Sequence, residues 1–278
     1  MFKLLKTEQL CENTYRFRIL VPRIAAKVRA GQFLILRIDE TGERVPFTVS
    51  DFDRDAGYVE IVFQTIGATT YKLAALHAGD CVADVVGPLG KATEYGAAKS
   101  VCVIGGGLGC AIAFPQAKAL HAAGIAVDMV AGFRSTDYII MEEEMRSVCR
   151  DLLLLTDDGS NNNKGLVTDG LKKLVEGGKH YDLVIAIGPV VMMKFVCLLT
   201  KDLGIRTIVS LNPIMIDGTG MCGGCRVKVG GEVRFACVDG PDFDGHLVDF
   251  DELNRRNKTY AEFEKERLEA HRCKLGIS

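Results

Sequence analysis

Asp217, Cys222, Cys225 and Cys237 are the residues whose types and spacing most clearly permit chemistry in this chain of 278 residues. Cys222 and Cys225 form a C-x-x-C pair, and Cys237 follows after eleven intervening residues. Plant-type [2Fe–2S] spacing is C-x₄-C-x₂-C followed by a more distant cysteine. Cysteines fill the last three places here, and the first, four intervening residues before Cys222, is Asp217. A carboxylate can ligate iron, although it is a harder donor than thiolate. Gly218, Gly220, Gly223 and Gly224 let the backbone wrap closely and aim amides at sulfur. The spacing predicts one [2Fe–2S] cluster. Zinc held by the three cysteines with His246 or Asp217 is a competing reading, and a pair of inert or redox thiols is a third. The seven other cysteines (Cys11, Cys81, Cys102, Cys110, Cys149, Cys197 and Cys273) are scattered, and most of them read as small buried apolar residues.

A second group of residues suits a dinucleotide. Val101–Ile104 runs straight into Gly105-Gly106-Gly107-Leu108-Gly109, and an apolar helix follows. Such a turn brings backbone amides and a helix start to a pyrophosphate. It departs from the standard fingerprint, because the third glycine is not at its usual offset. Two further strand ends carry small or polar residues, Thr156-Asp157-Asp158-Gly159-Ser160 and Gly188-Pro189, and carboxyl ends of parallel strands are where ligands bind. Asp128 stands near the usual acidic offset but mid-strand, and Arg134-Ser135 after that strand would suit a 2′-phosphate.

These groups need elements to position them. Up to about residue 99 the pattern is strand-like, as in Thr14–Leu20, Gln32–Ile38 and Tyr58–Phe63, with turn residues between. It predicts a small antiparallel barrel with one short helix after Gly67. Residues 100–211 alternate apolar strands with helices. The strands are Val101–Ile104, Ile125–Ala131, Leu152–Leu155, Leu183–Ile187 and Thr207–Leu211, and the helices begin near Leu108, Met141, Val167 and Pro189. This is the texture of a doubly wound α/β domain with a parallel sheet. Residues 212–248 are Gly- and Cys-rich and read as a separate small cluster unit, in which Arg226–Val229, Gly230-Gly231 and Val233–Phe235 form a hairpin. Residues 249–278 read as a charged helical tail with a sparse apolar stripe at Leu253, Tyr260, Phe263 and Leu268, suited to a partner surface.

Composition narrows the classes. At roughly 150 residues per domain the length suggests about two domains. Hydrophobic residues at 48% and charged residues at 25% argue against a disordered or fibrous chain. A net charge of −2 gives no electrostatic footprint for nucleic acid. The longest apolar run, Leu183–Met193, is broken by Gly188 and Pro189 and is too short to span a membrane. The first residues lack the apolar stretch of a signal peptide, so the reading is cytoplasmic, where ten cysteines point to metal before disulfides.

In the barrel, Arg44-Val45-Pro46-Phe47-Thr48-Val49, Gly67-Ala68-Thr69-Thr70 and Gly87-Pro88-Leu89-Gly90 occur in that order. By themselves they are an edge proline, a helix start and a glycine turn. In this order they resemble the ferredoxin–NADP reductase superfamily, whose flavin barrel carries an R-x-Y-S type motif. The resemblance implies bound FAD, with Phe47 in the tyrosine slot near the isoalloxazine and Thr48 in the serine slot near flavin N5 as the catalytic residue. Pro46 and Val49 would flank them. The arginine slot falls on Val45, with Arg44 one residue earlier. Gly67, Thr69 and Thr70 match the segment that holds the FAD pyrophosphate.

The domain order also resembles the electron-transfer subunit of class B dihydroorotate dehydrogenase. Asp217, Thr156–Gly159 and the tail Phe250–Asn257 are more similar to a sister group, the small subunits of NADH-dependent reduced ferredoxin:NADP oxidoreductases, also called sulfide dehydrogenase subunit beta. That resemblance implies NAD(H) as the nicotinamide dinucleotide. It implies a large flavoprotein partner with a second flavin and [4Fe–4S] clusters, and flavin-based electron bifurcation by the heteromer. The alternatives are electron transfer to a dihydroorotate dehydrogenase, or a non-enzymatic iron–sulfur or zinc regulatory module on a reductase scaffold.

Overall fold

The computed structural model describes residues 1–275, with side chains described to residue 270. The first unit comprises β1 (Phe2–Cys11), β2 (Thr14–Leu20), α1 (Pro22–Ala25), β3 (Phe33–Arg37), β4 (Val45–Asp53), β5 (Tyr58–Gln64), α2 (Ala68–Ala74), β6 (Cys81–Val82) and β7 (Asp84–Leu89). Its strands pair antiparallel in the order β6-β1-β2-β5-β4-β3-β7. The end strands are neighbours in sequence, which nearly closes the barrel. Alternation fills it: Phe17 and Ile19, Leu34 and Leu36, Phe47 and Val49, and Ile61 and Phe63 all point inward.

β3 is buried on both faces. Leu34 and Leu36 belong to the barrel core, whereas Phe33 and Ile35 join a second core shared with the rest of the chain. An amphipathic alternation is therefore absent from this strand, and Phe-Leu-Ile-Leu reads as a continuous apolar run for a physical reason.

The second unit runs β8 (Ser100–Gly106), α3 (Gly109–Ala122), β9 (Ala126–Phe133), α4 (Glu142–Ser147), β10 (Asp151–Thr156), α5 (Val167–Glu176), β11 (Leu183–Ile187), α6 (Val190–Asp202) and β12 (Arg206–Ser210). The sheet order β10-β9-β8-β11-β12 is parallel, and the winding reverses between β8 and β11. Every expected strand and helix of this unit is found, within two residues at each boundary given above.

The helix α3 ties the two units together. It contains Pro115, whose missing N–H leaves the Ala111 carbonyl without its helical partner. Ser50 on β4 donates its hydroxyl to that carbonyl at 2.8 Å, so a barrel side chain satisfies a buried group of the nucleotide domain.

The C-terminal part departs from the expected layout. β13 (Arg226–Val229) and β14 (Glu232–Phe235) form the expected hairpin. After α7 (Ala236–Asp239), β15 (Asp242–Asp244) returns to the nucleotide sheet and pairs antiparallel with β12. The segment 212–248 is thus not self-contained. The tail forms α8 (Phe250–Asn257) and α9 (Ala261–Leu275). Leu253, expected on a partner surface, is only 1% exposed and packs with Phe250 in the chain's own second core. Tyr260 and Phe263 are exposed. No helix among the described residues is long and apolar enough to cross a membrane.

Candidate functional site

Strand parity decides which residues of β4 can meet a ligand. Phe47 and Val49 face the barrel core, Phe47 edge-on to Phe63 at 5.7 Å between ring centroids. Neither side chain lies on the outer face, which corrects the expectation that Phe47 packs against a flavin ring. Pro46 and Thr48 occupy the alternate positions and face outward.

Pro46 lines a cavity of about 770 Å³, together with Arg44, Gly67, Thr69 and Thr70. Thr70 is engaged locally: its hydroxyl accepts from the Gly67 amide at 3.0 Å and donates to the Gly67 carbonyl at 2.8 Å, which caps α2. Thr69 instead donates to Glu43 at 2.7 Å across the cavity mouth.

Thr48 lines a second cleft, of about 580 Å³, between the barrel and the nucleotide sheet. The far wall is made by Gly106, Gly107 and Gly109 after β8, and by Gly188 and Pro189 after β11. These strand ends straddle the point where the winding reverses, the place where open α/β sheets bind ligands. Ile66 borders both cavities, so they are adjoining lobes of one groove. Gln64 and Asn212 also line the cleft and were not expected there. Gln64 ends β5 and Asn212 follows β12, so strand ends rather than any motif would have found them.

The glycines of the turn divide their roles. A Cβ on Gly105 would lie 2.7 Å from the Cys110 Cα, and one on Gly109 would overlap the Ile187 carbonyl. These two let α3 approach the sheet closely. Gly107 has φ +55° with open space beside it, which leaves its backbone available. Asp157 lies outside the cleft in a neighbouring cavity of about 740 Å³, with Arg134 and Lys172. Asp128 cannot reach a ribose. It is fully buried, paired with Arg150 at 3.0 Å and Lys179 at 3.2 Å, and accepts from the Tyr181 hydroxyl at 2.9 Å.

The cysteine loop lies against the barrel. An added Cβ on Gly218 (φ +82°) would touch Ile35 and Leu89, so the loop passes directly over β3 and β7. Cys225 and Cys237 are buried with sulfurs 3.2 Å apart. Cys222 is exposed, and its sulfur accepts from the Gly224 amide at 3.4 Å. That amide and the Asp217 amide hold the Cys222 thiol below its ordinary pKa. Burial and then the adjacent Cys225 push the Cys237 thiol up to about 12. Two buried sulfurs in contact cannot both ionise without a cation beside them, and a metal centre supplies that charge. The donor set therefore fits an iron–sulfur cluster.

Among the described residues, however, no three Cys, His, Asp or Glu side chains converge at metal-binding distance. The Asp217 carboxylate turns to the Thr219 amide and hydroxyl, which hold its pKa down, with Arg44 adding to the effect. His246 is bonded to Thr200 at 3.0 Å, under α6, so the zinc reading through His246 is not supported. Cys102 and Cys110 are buried in the core, as expected of small apolar residues. Cys273 falls outside the described side chains.

Comparison with known proteins places this architecture. Residues 1–95 match the family model "Oxidoreductase FAD-binding domain", and residues 212–249 match "Iron-sulfur cluster binding domain of dihydroorotate dehydrogenase B". The chain is 45% identical over 263 residues to the Thermotoga maritima "Dihydroorotate dehydrogenase B (NAD(+)), electron transfer subunit homolog", covering 95% of this chain and 93% of the relative. It is 30% identical to the electron transfer subunit of Clostridium perfringens, covering 87% and 94%. It superposes with a TM-score of 0.90, at 43% identity and 97% of both chains, on a chain from a structure described as giving "Insights into flavin-based electron bifurcation via the NADH-dependent reduced ferredoxin-NADP oxidoreductase structure". The fold and the two matched domains define an oxidoreductase subunit of the ferredoxin-reductase-like class, with FAD-binding and iron–sulfur-binding domains. Within that class the chain belongs to the family of dihydroorotate dehydrogenase B electron-transfer subunits and their homologues.

Proposed function

We propose that this chain transfers electrons between NAD(H) and a larger flavoprotein subunit, in an electron-bifurcating complex of the NADH-dependent reduced ferredoxin–NADP oxidoreductase type. One observation carries the reading. The cavity beneath Pro46, which shares Ile66 with the cleft between barrel and nucleotide sheet, is walled by Met215 and Ile216, the residues immediately before the Asp217–Cys225 loop. A flavin in the groove and a cluster in the loop would thus be neighbours within one chain.

FAD, when bound, exchanges a hydride with nicotinamide and single electrons with a cluster, which is the conversion such a chain requires. The residues' part is positioning. Residues 1–99 would hold FAD, with Pro46 and Thr48 at the ring and Thr48 nearest the reacting edge. Residues 100–211 would hold NAD(H) with the Gly106-Gly107 turn and Gly188-Pro189, so that the cleft brings nicotinamide to the flavin. Residues 212–248 would hold one [2Fe–2S] cluster through Cys222, Cys225, Cys237 and Asp217, whose carboxylate rotates from Thr219 to reach iron. The TM-score of 0.90 and 43% identity to the structure from the bifurcating system, against 30% identity to the Clostridium perfringens electron transfer subunit, support this complex, and the 45%-identical relative is named only as a homolog of a dihydroorotate dehydrogenase B subunit.

The test is anaerobic purification of the native protein with its partner. We expect FAD, iron and sulfide from this chain, bleaching of its flavin by NADH, and loss of iron in Cys225→Ala. Zinc in place of iron, FMN in place of FAD, or a dihydroorotate dehydrogenase as the co-purifying subunit would overturn the corresponding part.

A further inference from the structure

The helix α9 lies outside both matched domains, yet it forms one side of the cavity beneath Pro46. Its neighbour is α2. Its sequence, Ala261-Glu-Phe-Glu-Lys-Glu-Arg-Leu-Glu-Ala270, is mostly charged: half-buried Leu268 is its apolar contribution to the cavity wall, and Phe263 points to solvent at 69% exposure. One half-buried leucine gains little from burial, so charge contributes to the helix's position over the cavity. Arg267 pairs with Glu43 at 3.0 Å, and Glu43 accepts from Thr69. This chain of contacts joins α9, the segment before β4 and α2 around one opening.

The opening is lined by three cations, Arg44, Lys265 and Arg267, against two carboxylates, Glu43 and Glu264. The cavity has a volume of about 770 Å³. We propose that α9 is a clamp on the diphosphate of the bound flavin, with Arg267 and Lys265 as its phosphate ligands; this rests on FAD occupying the cavity as read above. Arg267 suits the task because its planar fork has five donors, enough to keep Glu43 while contacting phosphate. Glu43 is then a positioning residue for Arg267, and Thr69 fixes Glu43. The tail serves the chain's own cofactor rather than a partner surface.

The test uses the full-length chain loaded with FAD, and reads flavin fluorescence released on dilution. Arg267→Ala should weaken FAD retention about tenfold, the scale of one charge-assisted contact. Lys265→Ala with Arg267→Ala should weaken it further, and added salt should mimic the loss in wild type more than in the double variant. Arg267→Lys should recover part of the affinity. Both side chains are largely exposed, so the fold is not at stake. A purely structural role makes a different prediction: if Arg267 only neutralises Glu43, then Glu43→Gln with Arg267→Ala restores full retention, and the clamp is refuted. Wild-type chain that holds no FAD defeats the flavin reading and the clamp together. Wild type that holds FAD, with the double variant holding it equally, defeats the clamp alone.

Discussion

Replacing Asp242 by Asn tests how the barrel is fastened to the nucleotide sheet. Asp242 on β15 is half-buried, and desolvation of its carboxyl pushes its pKa up to about 6. It accepts from the Thr93 hydroxyl, and from Gln116 Nε2 at 3.3 Å, while Oδ1 is buried without a partner. Gln116 on α3 also donates to Thr93 at 2.6 Å and accepts from the Tyr95 hydroxyl at 2.6 Å. The latch therefore joins the connection after the barrel, α3 and β15, and burial keeps the Tyr95 phenol neutral as well. Because the folded pKa is raised above the ordinary 3.8, the protonated carboxyl is the stabilising form. Its contribution is complete below the unfolded value and is lost as pH rises through about 6. At ~1.4 kcal/mol per tenfold, the gap amounts to about 3 kcal/mol in all, and roughly half of that is lost between about pH 5 and about pH 8. Asn keeps an acceptor for Thr93 and Gln116 and cannot ionise. Relative to wild type, Asp242→Asn should gain about 1.4 kcal/mol across that interval, or ~3–6 °C in thermal midpoint. The assay is thermal unfolding of both proteins at a series of pH values. Parallel stability curves for the two would show that Asp242 does not titrate against folding, and the argument would fail.

Leu253→Ala should cost about 2–5 kcal/mol in a urea melt, because Leu253 is enclosed in the chain's own core; Phe263→Ala should leave the same melt unchanged. Equal effects would mean that α8 and α9 are placed wrongly. Ser50→Ala should cost about 1–3 kcal/mol, since it orphans the Ala111 carbonyl that Pro115 has already deprived of a partner. Restoring an amide with Pro115→Ala in the same chain should recover most of that loss, and a failure to recover would remove Ser50 from that role.

The α/β unit was legible because strands buried on both faces read as apolar runs and each ends in a turn signal. The cysteine spacing was equally legible, since metal-ligand geometry constrains sequence directly. The motif frame puts Phe47 beside a flavin ring, whereas strand parity turns its side chain to the barrel core. Val45, Phe47 and Val49 alternate with Pro46 and Thr48, and that pattern alone assigns Phe47 to the core. Leu253 was grouped with Tyr260 and Phe263, although its true partner is Phe250, three residues earlier on the same helical turn. The strand Asp242–Asp244 carried no readable signal. Two acidic residues around one phenylalanine become a strand only because β12 presents an open edge.

Parity also explains how one short strand can serve both halves of the electron path. On β3, Leu34 and Leu36 fill the barrel whose opposite strand face presents Pro46 and Thr48 to the groove. On the other side, Ile35 meets the Gly218 turn, and Phe33 lies in the core that also contains Cys225 and Cys237. A side chain at position 218 would press against Ile35 and Leu89 and lift the loop from the barrel. The glycine thus sets the approach of the cysteine loop to the flavin domain. A Cβ added at Gly224 would meet Ile216 at 3.7 Å, so the two ends of the loop lie close to each other beside the cavity that Ile216 lines. The groove of the barrel and the cysteine loop are held together here by a close backbone approach and a doubly buried strand, not by a linker whose length could vary.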